Sequence, residues 1–219
     1  MKKWIPAAAT AAGAYLIAIA PRLCERPERM PKVYYAHRGL HDNISDAPEN
    51  SLAAFQKAVD AGYGIELDVQ MTADGKVVVV HDFNLKRISG VDKEIDQCTY
   101  EELQDYPIYG SDQRVPLFED VLKAVDGKVP LIVELKYKEG SKICEKAQEI
   151  LNSYTGIYCI ESFHPQVLVW YRKNYPHICR GQLSMNFERD ENTKGAQYFA
   201  LRHLLIKERQ RHLTGTDDG

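Results

Sequence analysis

"GIELDVQMTADGKVVVVHD", Gly64 to Asp82, sets two carboxylates and an imidazole inside runs of apolar, β-favouring residues. Strand side chains alternate faces, so Glu66 and Asp68, two apart, point the same way. Asp74-Gly75 carries the signal of a two-residue type I′ turn, and too few residues separate the runs for a helical crossover. Closing the turn on that pair puts Ala73 opposite Lys76, Thr72 opposite Val77, Gln70 opposite Val79 and Asp68 opposite His81. The expectation is a hairpin that delivers an imidazole beside a carboxylate pair.

Outward from this hairpin, short apolar runs alternate with amphipathic segments. "VYYAHRG" reads as a strand, and "ENSLAAFQKAVDAG" as a helix with Leu52, Phe55, Ala58 and Val59 on one face and Gly62 at its end. After a polar loop come helix "PLFEDVLKAV", strand "PLIVELK", helix "SKICEKAQEILNSY", strand "IYCIESF", helix "PQVLVWYRKNY" and strand "HICRGQLS". Such alternation predicts βα units on a mostly parallel sheet. Polar residues gather where these strands end: His37-Arg38, Glu66 and Asp68, His81, Glu134 and Lys136, Ser162-Phe163. That is the edge on which α/β folds place their sites.

Taken singly, each has a plainer reading. His81 could be a hydrogen-bonded loop residue, Glu66-x-Asp68 the polar face of an edge strand, and Glu134 with Lys136 a surface ion pair. Their coincidence within hydrophobic runs argues otherwise, because buried carboxylates cost several kcal/mol unless paired or bound to a cation. Glu66, Asp68 and Glu134 together point to one hard divalent cation, Mg²⁺ or Ca²⁺. His37 and His81 are candidate proton donor and acceptor, and Arg38 with Lys136 can hold an anion. A metal, an anion site and two imidazoles describe phosphoryl chemistry.

Composition narrows the classes. The 219 residues are 44% hydrophobic and 27% charged, enough for one sizeable core. A net charge of −3 with both signs interspersed offers no basic stripe, which argues against nucleic acid as a partner. Five scattered cysteines, Cys24, Cys98, Cys144, Cys159 and Cys179, include no CxxC pair and read as small core residues.

At the amino terminus two lysines precede an uncharged stretch from Trp4 to Ala20, followed by a connector rich in Pro, Arg and Glu. It reads as a signal peptide or a short membrane anchor. Pro21 directly after Ala18-Ile19-Ala20 disfavours cleavage, and Arg22 before Leu23-Cys24 spoils a lipobox, so the expectation is an uncleaved hydrophobic helix over 1–20 and a linker over 21–32. Lys2 and Lys3 on one side face Arg22, Arg26, Arg29 and Lys32 on the other, leaving orientation open.

The blocks "AHRGLHDNISDAPENSLAAF", "GIELDVQMTADGKVVVVHD", "VPLFEDVL", "LIVELK" and "IESFHPQVL", in this order, resemble the glycerophosphodiester phosphodiesterase family from about Val33 to about Ser184. The resemblance implies a TIM barrel, a (β/α)8-type fold, that uses a divalent cation to hydrolyse small-molecule glycerophosphodiesters to glycerol 3-phosphate and an alcohol. It also implies His37 and His81 as acid/base pair, Arg38 at the phosphate, Glu66, Asp68 and Glu134 as metal ligands and Lys136 as a substrate contact. Glu49 and Asn50 match the family's "PEN" signature, with supporting and helix-capping roles expected. The family's barrel closes with two further βα units, whereas here "FALRHLLIKERQRHLTGTDDG" turns polar. The expectation is a domain over 33–206, truncated after about six strands, and a polar tail over 207–219. Two functions follow: a membrane-associated phosphodiesterase of phospholipid metabolism, or an incomplete relative that only binds. A spider-toxin-like phospholipase D is a lesser third.

Overall fold

The computed structural model describes residues 30–138 and 140–183. The expected helix over 1–20, most of the linker and the polar tail lie outside the described residues. Among the described residues six strands and six α-helices run in order β1 (Tyr35–His37), α1 (Leu52–Asp60), β2 (Gly64–Met71), β3 (Val77–Val79), α2 (Lys86–Ser89), α3 (Tyr100–Leu103), α4 (Phe118–Val125), β4 (Leu131–Leu135), α5 (Lys142–Leu151), β5 (Tyr158–Ser162), α6 (Pro165–Asn174) and β6 (Cys179–Gln182). The sheet order is β1-β2-β4-β5-β6, all parallel, with β3 antiparallel to β2. This is the α/β, parallel-sheet class that the alternation predicts.

The strand alternation sorts the core. Ile65, Leu67 and Val69 of β2 with Leu131, Val133 and Leu135 of β4 join Phe118, Val121, Leu122 and Val125 of α4 in one apolar cluster. The four α4 residues fall at helical spacing, which is why that helix was legible. Glu66, Asp68, Gln70 and Glu134 take the other positions of the same strands and are buried all the same. One set of positions thus faces the helices and the next faces the site.

Ser51 caps α1, its hydroxyl accepting from the Ala54 N–H at 3.1 Å. Asn50 and Glu49 therefore do not cap, contrary to expectation, and are released for the site. Gly62, at φ 72°, ends α1 as predicted. Leu52 does not share the buried face with Phe55 and Ala58. It is exposed, because it is the first residue after the cap.

The hairpin differs from its predicted register by one residue. Val69, Gln70 and Met71 pair with Val79, Val78 and Val77, so the loop has three residues, Ala73 to Gly75, not two. Gly75 alone takes positive φ, 77°, where a type I′ turn needs two such residues. Thr72 decides this: its hydroxyl holds Asp74 at 2.6 Å and accepts from the Lys76 N–H at 3.0 Å. Asp68 accordingly pairs across to Val80, whose N–H donates to the Asp68 carbonyl at 2.9 Å, and not to His81.

The polar loop after β3 contains structure that the sequence reading passed over. Val78, Val80, Leu85, Ile88, Ile95, Leu103, Ile108 and Val115 close a second apolar cluster around α2 and α3. A capping box joins Thr99 and Glu102 at the start of α3.

Candidate active site

At the carboxyl end of β2 and β4, ligand oxygens of Glu66, Asp68 and Glu134 lie within 4.8 Å of one another, and all three residues are buried. Register explains this: Asp68 and Glu134 are direct partners across the β2–β4 ladder, and Glu66 is one alternation back on β2. Lys136 follows β4 and places its ammonium 2.9 Å from Asp68 Oδ1 and 2.8 Å from Glu134 Oε2.

One buried lysine does not balance three carboxylates. Burial and the neighbouring charge of Asp68 push the Glu66 carboxyl well above its ordinary range. Burial likewise lifts Glu134 to about 7, although Lys136 pulls the other way. Burial acts on Asp68 too, but Lys136, His81 and the Asn50 amide hold it below the usual carboxylate range. Paired hard oxygens with excess negative charge fit a divalent cation bound through Glu66, Asp68 and Glu134.

Arg38 follows β1 with φ 57°, a left-handed backbone that a non-glycine residue adopts only when its surroundings enforce it. Its own N–H donates to Glu66 Oε2 at 3.0 Å, its Nη1 to Glu49 Oε2 at 2.8 Å, and its Nε stands 3.6 Å from Asp68 Oδ2. Gly39 behind it has no room for a side chain, since a Cβ would meet Ala54 at 2.9 Å. Asn50 is also left-handed, φ 55°. Its N–H donates to the Arg38 carbonyl at 2.9 Å and its amide to Asp68 Oδ2 at 2.9 Å. The "PEN" residues thus brace the arginine and a carboxylate.

His37 ends β1 with Nε2 3.9 Å from Glu66 Oε2, its side chain 59% exposed. Burial of the ring and the adjacent Arg38 charge lower its pKa. His81 lies beyond β3 with Nδ1 2.6 Å from Asp82 Oδ1. Despite partial burial, Arg87 and His81 hold Asp82 at about 2, so at neutral pH it is a carboxylate that only accepts. Nδ1 of His81 therefore carries the proton in the neutral ring, and Nε2 keeps its lone pair.

Three residues were not read from the sequence as parts of the site. Gln70, buried, aims its amide at the carbonyls of Val80, His81 and Asp82 at 2.9, 3.0 and 2.8 Å and ties down the His81 loop. Its place in the same alternation as Glu66 and Asp68 was the available signal. Glu161 is buried opposite Glu134, and its charge adds to the lift on Glu66. Arg87 of α2 reaches Asp82 and Glu49. Ser162, anticipated at the site edge, donates instead to the Leu135 carbonyl at 2.7 Å and ties β5 to β4.

Comparison with known proteins agrees with this geometry. A Glycerophosphodiester phosphodiesterase from Bacillus altitudinis is 34% identical over 170 residues, 72% of this chain and 68% of the relative. A Lysophospholipase D from Homo sapiens is 31% identical over 163 residues, and the match covers 48% of that protein. An Oleispira antarctica phosphodiesterase, solved in complex with the product sn-glycerol-3-phosphate, superposes with a TM-score of 0.65 at 26% identity, covering 80% of this chain and 72% of that one. A glycerophosphodiester phosphodiesterase from Thermotoga maritima does so with 0.58 at 25% identity, covering 82% and 69%. The Glycerophosphoryl diester phosphodiesterase family profile matches residues 37–209, and with the carboxylate cluster, Arg38 and both histidines inside that span, the chain belongs to this family of phosphodiester hydrolases.

Proposed function

We propose that this chain hydrolyses glycerophosphodiesters to glycerol 3-phosphate and an alcohol, with one divalent cation, Mg²⁺ or Ca²⁺, held by Glu66, Asp68 and Glu134. The observation that carries the reading is the convergence of three buried carboxylates, Lys136 and Arg38 on one sheet edge flanked by two imidazoles. The product in the Oleispira antarctica relative supports glycerol 3-phosphate as the retained half.

The bound cation would withdraw charge from the phosphoryl oxygens. Arg38 has its side chain mostly shielded and fixed by Glu49, so it can clamp a non-bridging oxygen without reorganising. Lys136 adds positive charge deeper in the site. Nε2 of His81 takes a proton from the attacking water as the new P–O bond forms. His37 gives a proton to the alkoxide as the old P–O bond breaks. Glu49 and Asn50 act by holding Arg38 and Asp68.

The test is hydrolysis of a panel of glycerophosphodiesters by the purified chain, with and without Mg²⁺ or Ca²⁺. Release of glycerol 3-phosphate that a chelator abolishes and either cation restores is the expected result. Absence of release from every diester, with the chain folded and cation present, would leave the binding-only relative as the better reading.

A membrane location belongs to the same proposal. No helix among the described residues is long and apolar enough to cross a bilayer, so this part rests on Trp4 to Ala20 alone. Deleting residues 1–29 should move the protein from the membrane fraction to the soluble one. Full-length protein found wholly in the soluble fraction would overturn the anchor.

A further inference from the structure

We propose that Arg87 is a positioning residue that locks the anion-binding arginine and the acid/base histidine into one geometry, making α2 of the second apolar cluster part of the active site. The inference rests on the roles proposed above for Arg38 and His81. Every link in it is a contact of this chain.

All three nitrogens of the Arg87 guanidinium have partners. Nε and Nη2 donate to Asp82 Oδ2 and Oδ1 at 2.6 and 3.1 Å, Nη2 also reaches Glu49 Oε1 at 2.5 Å, and Nη1 donates to the Tyr109 hydroxyl. Each carboxylate uses its remaining capacity on the site. Glu49 accepts Arg38 through Oε2, and Asp82 accepts the His81 ring through Oδ1. A chain of alternating charge therefore runs Arg38, Glu49, Arg87, Asp82, His81. Its two ends are the groups that must meet the phosphate oxygen and the moving proton.

The residue type matters. A planar fork can hold two carboxylates at fixed angles, whereas a lysine presents one point charge. The fork is also anchored from behind, because Leu85 and Ile88, on either side of Arg87 in sequence, are buried in the second cluster and Gly90 turns the chain out of α2. The plainer alternative is a surface ion pair. Arg87 is 40% exposed, and pairs of that kind contribute little to stability. Replacing it should therefore leave the chain folded, which lets a positioning role be separated from a structural one.

The experiment uses the full chain with Mg²⁺ and compares wild type, Arg87→Met, Arg87→Lys and Asp82→Asn. Two readouts need no turnover: the tautomer of the His81 ring by two-bond ¹H–¹⁵N correlation, and calorimetric affinity for glycerol 3-phosphate. Wild type should show the Nδ1–H form. Arg87→Met should shift the ring toward Nε2–H and weaken glycerol 3-phosphate binding about tenfold, the usual loss when a charge-assisted contact goes. Arg87→Lys should recover part of one effect and not both. Asp82→Asn should reproduce the tautomer change with affinity retained. Kinetically, Arg87→Met should lower kcat and raise KM together, while Asp82→Asn lowers kcat alone. An Arg87→Met chain with wild-type tautomer and affinity within about twofold overturns the proposal. If Arg87→Met does not fold, Arg87→Lys decides it: a loss in at least one of the two readouts is expected, and both readouts at their wild-type values overturns the proposal. Failure of the phosphodiesterase reading would appear separately, as wild type without hydrolysis, and the tautomer would still report on Arg87.

Discussion

His81→Ala is expected to lower kcat roughly a hundredfold or more, the usual worth of a positioned proton acceptor or donor, with KM little changed. The alanine chain keeps its loop, because Gln70 grips backbone carbonyls at Val80, His81 and Asp82 and not the ring. Asp82 cannot take over, since its carboxyl is held at about 2 and is a weak base at neutral pH. Burial sets the His81 pKa below the ordinary 6.5, with the Lys136 and Arg38 charges adding to the effect against Asp68 and Asp82. As a base the ring must be unprotonated, so kcat/KM should climb as pH rises through a value under 6.5, and because His37 must hold its proton to act as the acid it should fall again as His37 deprotonates, giving a bell-shaped profile. That acidic limb should shrink or vanish in the mutant. Near-normal turnover in His81→Ala would reduce His81 to a loop residue.

Glu66→Gln should weaken divalent-cation binding roughly a hundredfold or more, because even the hydrogen-bonding neighbours of metal ligands are worth roughly 10–100-fold. The fold should survive. Glutamine matches the shape, still accepts the Arg38 N–H that Glu66 accepts at 3.0 Å, and removes a buried charge that the cation-free chain pays to keep. The sign of the pH dependence follows from the direction of the shifts. Glu134 is raised to about 7, so at pH 5 it holds a proton with which the cation must compete, and the upward shift of Glu66 works in the same direction. Affinity should rise as pH increases past about 7, more steeply in wild type than in the mutant, which has one fewer proton to displace. In the cation-free chain the contribution of Glu134 to stability is present at low pH and lost as pH climbs from 4.5 to about 7, Glu66 acts in the same direction, and the cation restores what is lost. Calorimetric titration of Mg²⁺ and Ca²⁺ into both chains at pH 5 and 8 checks this. Equal affinities would remove Glu66 from the ligand set.

Much of this site was legible because its carriers sit on regular elements. Glu66 and Asp68 on β2, and Glu134 with Lys136 at the end of β4, share faces by strand period alone. Val121, Leu122 and Val125 of α4 announce a helix in the same way. The His81 register was misread because local turn statistics weigh Asp74-Gly75 and omit the Thr72 hydroxyl, which binds both Asp74 and Lys76. Capping was misassigned for a related reason. Ser51, not Asn50, takes the cap once Asn50 is turned into the left-handed region by its bond to the Arg38 carbonyl.

By itself the sequence determined the order of strands and helices, the apolar faces they bury and the set of ionisable residues at the strand ends, since all of these depend on residue type and spacing over a few positions. Tertiary structure alone decided which of those residues touch. The left-handed turn at Arg38 brings its N–H onto Glu66, 28 residues away, and Gln70 reaches over β3 to the His81 loop. Arg87 joins Glu49 to Asp82 only because the second apolar cluster carries α2 to the mouth of the site. Contacts of that separation leave no period in the chain. They arise when two buried faces close on each other and every charge caught between them must find a partner.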